Sequence, residues 1–261
     1  MYDLVALEAE LAGTIFAGKL KFNFITGSTN TDALAAARNG AQHGSVFFAD
    51  EQTAGRGRGD HSWQSNAGEG LYVSVLVRPK LLPAQLSLIP LVAGLATAEA
   101  IRAVAGLEID LRWPNDLLIG PRKAGGILVE SKTESAGLAF AVIGIGINVH
   151  QRVFDPALAT PATSLDIAAG HRVSRQALLV ALLKSLEREM LLLANSGAAS
   201  ATLTRVEQAS TWLRGRCVEV HGPQECLGVT AGLNAQGFLL VQTAEGLVTV
   251  QTGGIRAADS E

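Results

Sequence analysis

The chain changes texture at Trp212, and that change constrains its architecture more than any other feature. Before it, strand-like runs at Leu20–Thr26, Ser45–Ala49, Leu71–Val77, Glu108–Trp113, Gly126–Glu130 and Leu138–Asn148 alternate with helix-like runs. Such alternation predicts helices layered on a sheet. After it, short extended runs at Cys217–Val220, Leu227–Gly232, Gly237–Gln242 and Leu247–Gln251 are separated by Gly222-Pro223, Asn234–Gly237 and Glu245-Gly246, the pattern of a small meander or barrel. A unit that short buries little alone and is expected to pack on the larger one.

Thr29 followed by Asp32 matches a capping box, Ala33–Ala37 has high helix propensity, and Gly40 stands where a glycine ends a helix. Ser28, Thr29 and Asn30 then lie at a helix N-terminus, where free N–H groups favour an anion or polar ligand. A second helix is predicted from about Ser87 or Pro90 to Val104, a long one over Ser174–Asn195 and a shorter one over Thr202–Trp212.

Several function classes lose ground on composition. Formal charge is −3 and Lys/Arg residues do not cluster, so a nucleic-acid partner is not expected. Leu81–Ala98 carries no charge, but Pro83, Pro90, Gly94 and interspersed polar residues predict a buried helix rather than a membrane span. Met1–Glu10 lacks the basic start and apolar core of a signal peptide. Cys217 and Cys226 are too few for a disulfide framework and read as a buried thiol pair, which suits a reducing, cytoplasmic setting.

Three segments carry chemistry. Gln52-Thr53-Ala54-Gly55-Arg56-Gly57-Arg58-Gly59-Asp60-His61-Ser62-Trp63 is a loop, since three glycines in five positions make helix and regular strand costly. Closely spaced glycines admit a ligand to backbone N–H groups, and Arg56 and Arg58 are forked cationic donors. On composition it is either an anion-binding loop or a solvated basic one. In Arg112-Trp113-Pro114-Asn115-Asp116, the proline ends a strand and leaves Asn115 and Asp116 in the turn, while Lys123 precedes a strand opening on Gly125-Gly126. Asp116 and Lys123 are either an acid and a base suited to a reaction at phosphorus, or weakly paired turn residues. Gly144-Ile145-Gly146-Ile147-Asn148 places glycines in an apolar strand, as where another group approaches the backbone.

Together, Ser28-Thr29-Asn30, Gln52–Arg58 with Trp63, Arg112–Asp116, Lys123–Glu130 and Gly144–Asn148 resemble the biotin protein ligases. The resemblance spans essentially the whole chain. It implies an α+β fold: a mixed β-sheet catalytic domain of the biotin/lipoate ligase type over residues 1–212, and a small SH3-like β-barrel over residues 213–261. The implied activity is formation of biotinyl-5'-AMP from biotin and ATP, with Mg2+, followed by transfer to a lysine of a biotin carboxyl carrier protein domain. It also implies the sites. Ser28, Thr29, Asn30 and Gln52 would line the biotin side, with the backbone of Gly55, Arg56 and Gly57 near the ring and valeryl chain. Arg58 would hold the adenylate and Trp63 would close over the ligands. Asn115 and Asp116 would orient phosphates and magnesium, Lys123 would contact the biotin carboxylate and α-phosphate, and Asn148 would lie near the adenylate. Gly125, Gly126, Gly144 and Gly146 would leave room for the ligands.

This sequence departs from the family's loop pattern at Asp60 and His61, where an arginine is replaced by an imidazole beside a carboxylate. That change is expected either to weaken phosphate binding or merely to shape the loop. With no helix-turn-helix module expected ahead of the enzyme-like sequence, the resemblance is to monofunctional members. Arg216 and Gly253-Gly254-Ile255-Arg256 read either as helpers of ATP or carrier binding or as surface groups. A lipoate ligase and a non-catalytic biotin-binding regulator are the competing readings, and homodimerisation stays open.

Overall fold

The computed structural model of the chain describes residues 2–59, 61–79, 81, 83–134, 137–195 and 198–258. A large sheet holds β1 (Leu20–Thr26), β2 (Ser45–Gln52), β3 (Gly70–Val77), β4 (Asp110–Arg112), β5 (Asp116–Ile119), β6 (Arg122–Glu134) and β7 (Gly137–Asn148), in the spatial order β1-β2-β3-β7-β6-β5-β4. β1 and β2 pair parallel and the remaining neighbours antiparallel, so the sheet is mixed, as an α+β fold requires.

The helices are α1 (Leu4–Glu10), α2 (Thr29–Arg38), α3 (Ile89–Ala105), α4 (Leu165–Ala169), α5 (Arg175–Ala194) and α6 (Ala198–Gln208). The two faces of the sheet serve different ends. Leu71, Val73, Val75 and Val77 of β3 join the main core with α3 and α5, whereas Leu76, Phe140 and Val142 on the other face pack under Ala33 and Ala37 of α2. The segment Gln85–Ala105 is long and apolar enough to cross a membrane, but Ile89, Val92, Ala93, Ala96, Ala100 and Ile101 of α3 are covered by protein, as the broken charge-free run predicts.

The α2 cap differs from the capping-box reading. Ser28 is the N-cap and makes no side-chain cap bond; Asp32 instead accepts from the Thr26 hydroxyl at 2.7 Å. Partners from β2 and β3 claim the Thr29 hydroxyl, and this tertiary competition is what local propensity cannot register. The last helix of this region ends at Gln208 rather than near Trp212, because Thr211 bonds the Asp110 carboxylate through its backbone N–H (2.8 Å) and hydroxyl (2.6 Å) and draws the chain across to β4. Asp116 opens β5 rather than standing in a turn, and Lys123 lies inside β6.

A second sheet holds β8 (Arg214–His221), β9 (Cys226–Leu233), β10 (Leu239–Thr243), β11 (Gly246–Val250) and β12 (Gly254–Ala257), in the order β11-β10-β9-β8-β12. It is antiparallel and consistent with an SH3-like unit, but β11 and β12 do not pair among the described residues, so the expected barrel is open. Its Val218, Val220, Leu239, Val241, Val250 and Ile255 belong to the same core as the large sheet. Trp113 Nε1 donates to the Gly237 carbonyl at 3.1 Å, and Arg216 stacks 3.7 Å from the Trp212 ring centroid, so Arg216 braces the junction of the two sheets. The cysteines are free and not a buried pair: Cys217 is exposed and Cys226 half-buried, because alternation along β8 turns Cys217 outward and Val218 inward.

Burial lowers the pKa of His43, His150 and His221 below the usual histidine value. His43 Nδ1 accepts from the Arg78 backbone N–H at 3.0 Å and must be unprotonated to do so. A histidine depressed in the folded state contributes stability that is complete above its unfolded pKa, about 6.5, and lost as pH falls toward the folded value. The melting temperature is therefore expected to drop between pH 7 and pH 5. Calorimetric scans showing an equal or higher value at pH 5 would contradict this.

Candidate active site

One face of β7 lays out the site in order. Phe140 and Val142 pack under α2, Gly144 lies beneath Asn30, Gly146 beneath Trp63, and Asn148 comes last. A Cβ on Gly144 would stand 2.2 Å from Asn30 Oδ1, and one on Gly146 would stand 2.7 Å from the Trp63 indole, so both glycines exist to be approached. Above this floor is a cavity of about 600 Å³.

At one end is the N-terminus of α2. Ser28, Thr29 and Asn30 are each 4% exposed, and Thr29 and Asn30 are bound into a network. The Thr29 backbone N–H donates to Gln52 Oε1 at 2.9 Å, and its hydroxyl reaches Gln52 (3.1 Å) and Ser74 (2.8 Å). Ser74 donates to Asn30 Oδ1 at 2.5 Å, and Asn30 Nδ2 donates to Glu130 at 2.8 Å. Each link fixes the next, so this end is polar and preorganised.

The other end is charged. Arg112 and Asp116 are direct partners in the β4–β5 pairing, and Lys123 comes back on the next strand. Asp116 accepts from Arg112 Nη2 at 2.6 Å and pairs with Lys123 Nζ at 2.5 Å. Burial works to raise its pKa, but Lys123 and Arg112 outweigh that and hold it below the usual carboxylate value. Asn115 Nδ2 donates to the Ile127 carbonyl at 2.8 Å, and Asn148 Nδ2 to the Thr163 carbonyl at 3.0 Å, which leaves the Oδ1 of both residues as acceptors.

The glycine-arginine loop closes the cavity as a tight hairpin: Gly57 N–H donates to the His61 carbonyl at 2.7 Å, Trp63 N–H to Gly55 at 2.8 Å, and Gly59 at the tip has φ 64°. Arg56 pairs with Glu130, and Lys123 Nζ sits 5.7 Å from the Trp63 ring centroid. His61 lies on the cavity wall; Asp60 lies outside the described residues.

Ser28, Thr29, Asn30, Gln52, Arg56, Gly57, Arg58, Trp63, Asn115, Asp116, Lys123, Gly126, Gly144, Gly146 and Asn148 all line this cavity. Gly55 and Gly125 do not: a Cβ on Gly55 would meet the Trp63 carbonyl at 2.3 Å, and one on Gly125 the Gly146 carbonyl at 2.8 Å, so they allow backbones to pack.

Several residues that line the cavity or support its lining side chains escaped sequence reasoning. Ser74 could have been found as the polar residue in an otherwise apolar buried strand. Arg112 and Glu130 stand at the ends of quoted motifs. Phe154, Leu158 and Thr160 follow β7 without local pattern, and His221 and Thr252 come from the second sheet; Gly253, Gly254, Ile255 and Arg256, which the sequence offers either as helpers of ATP or carrier binding or as surface groups, also lie on the wall.

Residues 22–148, which span β1 to β7, match the model of the Biotin/lipoate A/B protein ligase family. The class is therefore that of biotin and lipoate protein ligases. A biotin acetyl-CoA-carboxylase ligase of Mycobacterium tuberculosis is 35% identical over 237 residues, covering 88% of this chain and 85% of that one. The bifunctional ligase/repressor BirA of Bacillus spizizenii is 32% identical over 241 residues, 90% of this chain and 73% of that one. A biotin protein ligase of Aquifex aeolicus, solved in complex with biotin and ATP, superposes with a TM-score of 0.80 at 28% identity, covering 92% of this chain and 100% of that one. The chain belongs to the biotin protein ligase family.

Proposed function

We propose that this chain joins biotin to ATP, forming biotinyl-5'-AMP and pyrophosphate, and then transfers the biotinyl group to a lysine of a biotin carboxyl carrier domain. The observation that carries this reading is the cavity's polarity: a buried hydrogen-bonding end at α2 and a cationic end at Arg112, Asp116 and Lys123, with the Trp63 indole between them over Gly146. A neutral, multiply hydrogen-bonding head group suits the first end, and a carboxylate meeting phosphate suits the second.

In the first step a biotin carboxylate oxygen bonds to the α-phosphorus and pyrophosphate leaves. Two anions must approach, so fixed cations stabilise the transition state, and Lys123 and Arg58 fill that role. In the second step the carrier amine attacks the acyl carbon and AMP leaves. Ser28, Thr29, Asn30 and Gln52 hold the biotin ring, Gly57 and Gly126 let backbone and ligand approach, Gly144 and Gly146 admit the Asn30 side chain and the Trp63 indole to the site, and Asn115 and Asn148 offer amide oxygens to the nucleotide.

Among the described residues, no group of three or more His, Cys, Asp or Glu side chains could cage a metal. That fits magnesium, which is usually held by one or two carboxylates plus substrate phosphates. Asp116 is the carboxylate placed to contribute, and the ion would neutralise phosphate charge. Residues 1–212 then form the catalytic unit and 213–261 an SH3-like unit that supplies part of the wall.

Pyrophosphate exchange measured with biotin and with lipoate offered separately tests the acid. Biotin is expected to support exchange at least about a hundredfold faster, because a site built on hydrogen bonds rejects a ligand that leaves its groups unpaired. Comparable rates would move the chain to the lipoate reading. Exchange with biotin but no mass gain on a carrier domain would favour a regulator.

A further inference from the structure

We propose that Thr252 is a positioning residue of this site: its hydroxyl, with the carbonyl of Gly253, holds the guanidinium of Arg58, so that a loop of the second sheet aims the arginine of the glycine-arginine hairpin. The functional half of this inference rests on the adenylation reading above; the contact does not. Arg58 Nη2 donates to Thr252 Oγ1 at 2.8 Å and Nη1 donates to the Gly253 carbonyl, across 194 and 195 residues of sequence.

The hairpin's backbone bonds, Gly57 to His61 and Trp63 to Gly55, fix its strands but do not hold the Arg58 side chain. Arg58 stands between Gly57 and Gly59, and a side-chain anchor is what such a tip needs. The receiving loop, by contrast, is built. The Gln251 and Thr252 backbone N–H groups donate to Gln224 Oε1, and Gln224 Nε2 donates to the Thr249 carbonyl. Gly253 has φ 121°, and a Cβ there would meet the His221 carbonyl at 2.5 Å, so only glycine presents its carbonyl in this direction. A guanidinium has five N–H donors; two are committed to this loop, and the others remain for an anion in the cavity. Arg58 is also within electrostatic reach of Asp116, which opposes the lowering of its pKa by burial.

The test compares the parent with T252V, which removes the acceptor at nearly constant shape, and T252S, which keeps it. Trypsin cleavage after Arg58, located by mass spectrometry, reads the hold directly. KM and kcat for ATP in biotin-dependent pyrophosphate exchange read its consequence. T252V is expected to be cut at least about threefold faster and to raise KM for ATP about tenfold with kcat within about twofold, as for loss of one bond to a charged group. T252S is expected to restore both. Parental cleavage of T252V, or T252S cut as fast as T252V, overturns the proposal. Absence of exchange in the parent overturns the adenylation reading, while the trypsin comparison still decides the contact.

Discussion

Lys123→Ala is expected to lower biotin-dependent pyrophosphate exchange at least about a hundredfold while the protein stays folded. The ammonium pairs with Asp116 at 2.5 Å and faces the cavity between the Trp63 ring and the floor. A donor fixed where charge develops is worth about 2.7–4 kcal/mol to a transition state, or two to three powers of ten in rate. Lys123→Arg is a poor rescue, since a planar fork does not occupy the position of a compact point charge. The fold should survive because Asp116 keeps its bond from Arg112 at 2.6 Å and is not left as a lone buried charge. Exchange within about tenfold of the parent, in a variant with a normal melting curve, would remove Lys123 from the chemistry.

The same replacement changes acid behaviour in a predictable sense. Asp116 is depressed in the folded state, so its contribution is present above the unfolded carboxylate value and lost as pH falls through the folded one. Removing Lys123 takes away one of the two cations that depress it, so less of that contribution remains.

How far a motif could be read from the chain depended on how local its partners are. β1 matches the predicted Leu20–Thr26 run, and the glycines of β7 signalled a close approach because approach is a property of the strand itself. What approaches was not legible: Asn30 and Trp63 arrive from an N-terminal helix and a loop. Asp116 and Lys123 were visible as residues, but Pro114 and Asn115 signalled a turn and masked the four-residue strand that carries Asp116. The β5–β6 pairing, with its irregularity after Leu117, is what turns a spacing of seven residues into an ion pair. Hydrophobic periodicity predicted the extended runs of the second sheet but not that its turns reach the first sheet's cavity, since docking is set by contacts such as Trp113 to Gly237 that no local window contains.

Gly146 and Gly126 provide the sharpest separation of packing from approach. They are direct partners in the β6–β7 pairing and both lie under Trp63, so a view of glycines as generic ligand clearance predicts similar effects for Gly146→Ala and Gly126→Ala. The surroundings predict otherwise. A Cβ at Gly126 meets nothing closer than the Lys123 side chain at 3.5 Å, an ordinary contact, whereas one at Gly146 stands 2.7 Å from the indole Cε2 and Nε1. The ring must then leave its place over the floor, and a displacement of about 1 Å at a positioning group can cost a hundredfold in rate. Gly146→Ala is therefore expected to reduce exchange about a hundredfold, and Gly126→Ala at least about tenfold less than that. Trp63 is only half-buried and can move without unfolding the sheet, so the Gly146→Ala melting temperature should stay close to the parent's. Equal losses in the two variants would show that the floor works by clearance alone, and that the position of Trp63 does not govern the reaction.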